Sequence, residues 1–353
     1  MKTKIPDYFH DFRCLAGSCP DTCCGQWEIV VDEAAKARYL SVEGPLGRQI
    51  REALTTQDGE DCMVLMNGRC PLLTQDGLCP IVTELGEEFL STTCHTHPRF
   101  TEVYGGYQET MLSVSCPEAA RLLLDRTEPL SFVTENDDTP PEPNDLDADL
   151  FFLLLESRET AIQLIQDRSR PLSDRLALLL CFAGRLDRHY DNYGLCRTFS
   201  ALYRNPGYQQ RQLVRIRRLR KYGTLIPARQ VFNAMEHLTQ EFPEQLKNLE
   251  WTSADAYPVP LEQLTVYFLF RWWLKAACDG YIWRQAAAAV VSILTVAGLA
   301  KTMGGVQQAA RLYSKEVEHS EDNLALLRKA MDLPQFSRNE LLRLLDSGDC
   351  SRV

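Results

Sequence analysis

The sequence predicts a mainly α-helical protein with a cysteine-rich, metal-binding N-terminal region that contains a short β-hairpin, followed by an all-helical C-terminal domain. Three observations carry this. Nine of the thirteen cysteines fall between residues 14 and 116, and four of those lie in the eleven positions from Cys14 to Cys24. Residues 99–114 alternate around Gly105-Gly106, a hairpin pattern. From residue 150 onward, apolar residues recur at helical spacing.

A chain of 353 residues, 45% of them hydrophobic, buries a sizeable core and is expected to form more than one domain. The formal net charge of −10 argues against nucleic acid as the main partner. Residues 1–10 hold no apolar leader. The longest apolar run, 286–300, is interrupted by Ser292, Thr295 and Gly298, which predicts no membrane span and a cytoplasmic protein. In that reducing compartment, clustered thiols favour metal ligation over disulfides, and an odd total of thirteen suits complete oxidation poorly.

Taken in order, the cysteine loop leads into a short strand over 27–31 and then a helix over 32–40 with acids in its first turn. A second amphipathic helix is expected over 46–54. Residues 55–80 read as loop, with Gly68 and Gly77 permitting tight turns beside Cys70-Pro71 and Cys79-Pro80. A helix over 81–90 would deliver Cys94. After the hairpin, Pro117 opens a helix over 118–125. Residues 127–149 carry eight Asp or Glu, four Pro and no Lys or Arg, the composition of a linker. The expected division is therefore a metal domain over 1–126, an acidic linker over 127–149 and a helical domain over 150–353. Helices are expected there over 150–167, 172–193, 209–221, 230–241, 261–278, 281–301, 305–319, 321–331 and 338–345.

Cys181, Cys196, Cys278 and Cys350 lie in or beside helical patterns and read as small core residues. The N-terminal set does not. Structural zinc takes four ligands in short paired knuckles, and only Cys14 with Cys19 and Cys19 with Cys23 approach that spacing. The adjacent Cys23 and Cys24 point in different directions, so they serve different iron atoms, or one is a ligand and the other its neighbour. The residue types favour iron–sulfur ligation, with zinc as the alternative.

The ordered motifs resemble one family. They are Phe12-Arg-Cys14; Cys19-Pro-Asp-Thr-Cys-Cys24 followed by Gly25-Gln-Trp27; Cys70-Pro-Leu72 and Gly77-Leu-Cys79; Thr93-Cys94 leading to Pro98-Arg99; Ser115-Cys-Pro-Glu-Ala-Ala-Arg121; and Tyr313-Ser-Lys-Glu-Val-Glu-His-Ser-Glu-Asp-Asn323. Together they resemble the bacterial flagellin lysine-N-methylases. The N-terminal half alone also resembles a wider group of small metal-chelating proteins. The resemblance implies a cytosolic enzyme that methylates surface lysines of flagellin, uses S-adenosylmethionine and carries a [4Fe–4S] cluster. The family pattern covers Cys14, Cys19, Cys23, Cys24, Cys70, Cys79, Cys94 and Cys116 as metal ligands and leaves out Cys62.

The residues themselves show no strand-linked glycine-rich turn, so a doubly wound donor-binding fold is not expected. The C-x3-C-x2-C spacing of radical enzymes is also absent, which favours polar methyl transfer. Glu318, His319 and Asn323 are candidates for catalysis, with His319 and Asn323 on one helical face. A solvated face is the alternative. Tyr267, Trp272 and Trp273, with Trp283, are candidates for stacking on the cofactor or a methylated amine, against plain core packing. His95 and His97 follow Cys94 and are candidates for metal ligation, with a supporting or solvent-exposed role as the alternative. Arg211, Arg215, Arg217, Arg218, Arg220 and Lys221 form one basic cluster, suited to an acidic patch on flagellin or a chaperone, or simply to a solvated face.

Overall fold

The computed structural model describes residues 1–25, 29–57, 59–66, 68–136, 140–141, 143–218 and 225–345. Most of these are helical, and the strands lie in the first 136 residues. The chain opens with β1 (Lys2–Pro6), and the cysteine loop follows. Next come β2 (Ile29–Val30), α1 (Glu33–Ser41), α2 (Gly44–Ala53), β3 (Leu54–Gln57) and β4 (Glu60–Met63). The expected strand over 27–31 is described only from residue 29. Asp32 caps α1 by accepting from Ala35 N at 2.9 Å. Its other oxygen accepts from Thr92 N at 2.7 Å, so one carboxylate ties α1 to the start of α3 (Thr92–Thr96), the helix that carries Cys94.

Two expectations in this region are corrected. Leu54–Gln57 and Glu60–Met63 pair antiparallel as β3 and β4, with β2 on the other edge of β4. The outer strand, Leu-Thr-Thr-Gln, has too little apolar alternation to announce itself. The helix expected over 81–90 is instead a π-helical turn, Ile81–Leu85, and a 3-10 turn, Glu87–Phe89. Gly86 between them has φ 100°, which a continuing helix does not allow.

The predicted hairpin is present as β5 (Arg99–Tyr104) and β6 (Tyr107–Leu112), turning at Gly105 with φ 67°. Then α4 (Pro117–Leu124) starts on Pro117 as expected. The acidic segment is only partly a connector. Its residues Phe132–Asn136 form β7, which pairs antiparallel with β1 and completes a sheet in the order β5-β6-β1-β7. Leu130 is buried there, its amide donating to Gln263 Oε1 at 3.1 Å and its carbonyl accepting from Gln166 Nε2 at 2.8 Å. Residues 137–139 and 142 of the expected linker lie outside the described residues.

The helices that follow are α5 (Ala148–Gln166), α6 (Leu172–Arg188), α7 (Tyr193–Tyr203), α8 (Pro206–Arg217), α9 (Ile226–Asn233), α10 (Glu241–Lys247), α11 (Pro258–Trp272), α12 (Ala276–Asp279), α13 (Ile282–Thr302), α14 (Val306–Tyr313), α15 (Glu321–Ala330) and α16 (Arg338–Leu345). The helix expected over 172–193 ends at Arg188, and Asn192 starts α7 by accepting from Leu195 N at 3.0 Å. The helix expected over 230–241 is broken. Glu316 accepts from the amides of Leu238 and Thr239 at 2.8 and 2.9 Å, and Asn323 Oδ1 from Glu236 N at 3.0 Å, so side chains from a distant segment satisfy donors a continuous helix would have used.

Burial falls into two hydrophobic cores. The smaller one joins Ile29, Val31, Tyr39, Leu46, Ile50, Met63, Leu72 and Ile81. The larger one runs from Tyr8 and Met111 through α4–α6, α11, α13 and α14 to Leu345, so the β5-β6-β1-β7 sheet belongs to the helical body. Its central helix α13 has 21 residues and is apolar and long enough to cross a membrane, yet 89% of its most apolar window is buried inside the protein. Ser292 donates to Ala288 O and pairs with Tyr313 Oη, and Thr295 donates to Val291 O, which satisfies its buried hydroxyls. A side chain at Gly298 would meet Glu250 O at 2.6 Å, so only glycine allows that close approach.

Candidate functional site

The cysteine loop is folded hard against the segment that carries Cys79. Ala16 has φ 47°, uncommon for a residue with a side chain. A Cβ on Gly17 would stand 2.6 Å from Asp76 O and 3.5 Å from Leu78. Cys70 N donates to Cys24 O at 2.8 Å, and Ser91 Oγ caps α3 by accepting from Cys94 N at 3.3 Å. Cys70, Cys79 and Cys94 pack against the smaller core, whereas Cys116 packs against the larger one and stands at the N-cap of α4. Cys62 is buried on β4, opposite Val30 and Thr55.

Burial raises the thiols of Cys70 and Cys94 to about 11 and also raises Cys79 and Cys116. Within the adjacent pair, the shared hydrogen bond raises Cys23 and lowers Cys24 to about 6. Among the described residues, no three His, Cys, Asp or Glu side chains stand close enough to enclose a single ion. The donor set is soft thiols brought from several loops, a ligand type that zinc and iron–sulfur clusters both take.

The loop is clasped to the helical body at one residue. Asp21 lies between Cys19 and Cys23 and pairs with Arg311 of α14 and, at 2.5 Å, with Lys315. Lys315 stands in a π-helical turn, Ser314–Glu318, where the Tyr313–Asn323 motif departs from the α-helix the spacing predicts. Such turns are rare and concentrate at functional sites.

That turn presents Glu318 and His319 to a half-buried polar centre. His319 Nε2 lies 2.8 Å from Ser115 Oγ and 3.2 Å from Ser113 Oγ, and its ring meets Phe100 and His97 at centroid distances of 5.1 and 6.0 Å. Burial, with His97, Arg271 and Lys315 nearby, lowers the imidazole of His319 to about 3. Burial, with Lys315 and Arg99, lowers that of His97 to about 4. Both rings are therefore neutral at pH 7. Glu318 is fully buried, accepts from Tyr267 Oη at 3.0 Å and pairs with Arg271, whose guanidinium covers the Phe100 ring 3.6 Å from its centroid.

Of the residues expected to act, His319 and Glu318 reach this centre. Asn323 stands apart from it, with its amide committed to Glu236 N, Glu236 O and Glu316 O. Tyr267, Trp272 and Trp273 are at most 1% exposed, so no ring face is open to a ligand. Trp272 stacks on Phe268, and Trp273 lies flat against Phe182 while its indole N–H donates to Ser157 Oγ. These rings build the core instead of lining a cofactor pocket. Trp283 is tied through its indole N–H to Met331 O. In the basic cluster, Arg217 pairs with Asp174, while Arg220 and Lys221 lie outside the described residues. Sequence reasoning missed Ser113, Ser115 and Arg271, although Arg271 sits four residues after Tyr267, one helical turn away.

A family model for the C-terminal domain of FliB lysine N-methylase matches residues 158–344, more than half of the chain, and takes in the π-helical turn with Glu318 and His319. The chain belongs to the FliB lysine N-methylase family. Among curated relatives, it is 29% identical over 126 residues to the flagellar biosynthetic protein FliU of Salmonella muenchen, covering 34% of this chain and 75% of that protein. Over the same length and share of this chain, it is 29% identical to lysine-N-methylases of Salmonella choleraesuis and Salmonella typhimurium, and the match spans 31% of each. No solved structure matches this member of the FliB family.

Proposed function

We propose that this chain is a cytosolic protein-lysine N-methyltransferase that moves a methyl group from S-adenosylmethionine to lysine side chains of a flagellar protein, flagellin foremost, with a [4Fe–4S] cluster in its cysteine region. The observation that carries the reading is the family match over 158–344, which includes Arg271, Lys315, Glu318 and His319 of the polar centre beside the cysteine loop. A subset of the eight motif cysteines would hold the cluster, and when bound it supplies a metal cross-link between loops that lack a large core of their own.

In the transfer, a lysine ammonium first gives up a proton to solvent water. The amine nitrogen then bonds to the methyl carbon as the methyl–sulfur bond breaks, and S-adenosylhomocysteine leaves. Deprotonation from pKa ~10.4 to neutrality costs about 4–5 kcal/mol. The positive charges of Arg271 and Lys315 beside the His319 centre would lower that cost by disfavouring a second ammonium. His319, held near 3, is too weak a base to keep the proton. Its neutral imidazole, oriented by Ser113 and Ser115, is suited to positioning the amine.

The test uses the anaerobically purified full chain, S-adenosylmethionine and flagellin, followed by intact-mass spectrometry. Added methyl groups on flagellin lysines and release of S-adenosylhomocysteine without a reductant are expected. No methylation by metal-loaded protein would overturn the assignment; strict dependence on a low-potential reductant with 5′-deoxyadenosine as product would overturn the polar route. His319→Gln should lower kcat about 10²-fold with iron content and the shape of the pH profile unchanged, because the imidazole positions and does not titrate.

A further inference from the structure

We infer that Arg271 anchors the α-carboxylate of the methyl donor, with the half-buried Arg328 supplying a second positive charge. The inference rests on the methyltransferase reading above and deepens it by giving the donor a place beside His319.

Arg271 stands one residue before the end of α11 and keeps 8% of its side chain accessible. One nitrogen carries its hydrogen bonding. Nη1 donates to Tyr267 Oη at 3.0 Å and pairs with Glu318, while Nε and Nη2 bond to none of the described residues. Arg158, deeper in the same body, commits both terminal nitrogens to Glu109, and its Nε is sealed from solvent without a partner. Nε and Nη2 of Arg271 are not sealed. They lie on one edge of a planar fork, the edge that matches the two oxygens of a carboxylate. The Phe100 ring, with its centroid 3.6 Å from the guanidinium carbon, holds the plane of the fork.

The charges around this edge leave room for an anion. Glu318 balances Arg271, and Glu102 is paired with Lys275 at 2.5 Å. Arg328 on α15 has no such balance: it forms no ion pair or hydrogen bond among the described residues, and its Nε is buried without a partner. Arg271 and Glu102 are among the charges that act on it. A guanidinium nitrogen buried without an acceptor carries an uncompensated desolvation cost, which a bound anion would offset.

Position selects the anion. Phe100 touches both Arg271 and His319, whose ring centroid is 5.1 Å from its own. S-adenosylmethionine carries one anionic group, its α-carboxylate, separated from the sulfonium sulfur by three carbons. With that carboxylate on Arg271, the methyl-bearing sulfur comes within reach of an amine positioned by His319. The sulfonium is itself a cation and goes on disfavouring an ammonium at the acceptor position. An acidic residue beside the target lysine is the competing occupant, and the test separates the two.

The test titrates anaerobically purified full-length protein with S-adenosylhomocysteine and with its decarboxylated analogue, by calorimetry. Wild type should bind S-adenosylhomocysteine roughly 10- to 100-fold more tightly, the range of a charge-assisted hydrogen-bonded pair. Arg271→Lys keeps a cation for Glu318 but loses the fork. It should weaken S-adenosylhomocysteine by about that factor and leave the analogue near its wild-type affinity, with a raised KM for the donor and an unchanged KM for flagellin. Arg328→Gln should weaken S-adenosylhomocysteine by a smaller factor.

Equal binding of the two ligands by wild type would overturn the inference, as would equal weakening of both in Arg271→Lys, the outcome of a merely structural role. A raised KM for flagellin alone would place an acidic residue of the protein substrate on Arg271 and overturn it as well. Binding of neither ligand would overturn the donor reading together with the inference. Ligand discrimination without flagellin methylation would overturn only the substrate assignment and support the anchor.

Discussion

The small lobe and the helical body are built from the same chain by different means. Ten buried residues make up the small core, drawn from short strands, two helices and the turns around Leu72 and Ile81. The body surrounds α13 with α6, α11 and α14, and its core continues through nearly every later helix. A core of ten residues cannot offset the entropy of ordering some sixty-five residues by burial alone, because buried surface falls off steeply with size. The lobe therefore depends on cross-links: the Asp32 carboxylate bridging α1 to α3, the clasp at Asp21 and, in the proposed holoprotein, thiolate ligation. The body depends on packing and on buried ion pairs.

The largest effect that would break this comparison is metal removal. Structural metal sites in small domains contribute on the order of 10 kcal/mol. Stripping the proposed cluster should raise amide hydrogen exchange across 29–94 while leaving α5, α6, α11 and α13 protected. Uniform loss of protection in both regions would show that the lobe and the body stand or fall as one unit.

Next in size is the body's own electrostatic anchor. Arg158 and Glu109 are buried together, joining α5 to β6, and Arg158 also donates to Phe270 O at 3.0 Å. Arg158→Met leaves the carboxylate buried without its partner and should cost about 3–5 kcal/mol, read as a fall in the melting temperature. Iron content should not change. Replacing both partners with apolar residues should restore part of the loss.

The fold was legible where local sequence and global packing agree. The helices over 148–166, 282–302 and 338–345 and the hairpin at Gly105 emerged close to their expected bounds, since their periodicity comes from the side that faces the core. The expectation failed where distant side chains intervene. The break between α9 and α10 is imposed by Glu316 and Asn323, 78 and 87 residues beyond the amides they accept from. β7 hides in an acidic composition because only its pairing with β1 makes it a strand. At the candidate site, His319 was visible in its motif, whereas its partners Ser113 and Ser115 lie about two hundred residues away in sequence.

Acid should act on the seam between the two regions. Free histidine titrates near 6.5, but His319 is held near 3 and His97 near 4, faced by Arg271, Lys315 and Arg99 with Glu318 already paired. Between those values the unfolded chain binds more protons than the folded one, so stability is full above pH 6.5 and declines as pH falls. From pH 6.5 to 5, each imidazole should withhold about 2 kcal/mol. Urea titrations over that range should show the decline, and His319→Gln should remove about half of it. An unchanged slope in the variant would mean that His319 is accessible to protons in the folded protein.

The smallest effect sharpens the comparison most, because it touches only the contact between the regions. Asp21→Asn removes the charge that holds the cysteine loop to Arg311 and Lys315 while keeping the side chain's shape. These groups are only partly buried, so solvent and salt already screen the pairing, and the expected cost is about 1–2 kcal/mol. The loss should appear as protease cutting within residues 14–24 and not as a lower melting temperature of the body. It should also shrink at high salt, since the wild-type clasp is itself weakened there. Equal cutting of wild type and variant would place the hold on the loop elsewhere, in the backbone contacts of Gly17 and Cys24 with residues 69–78.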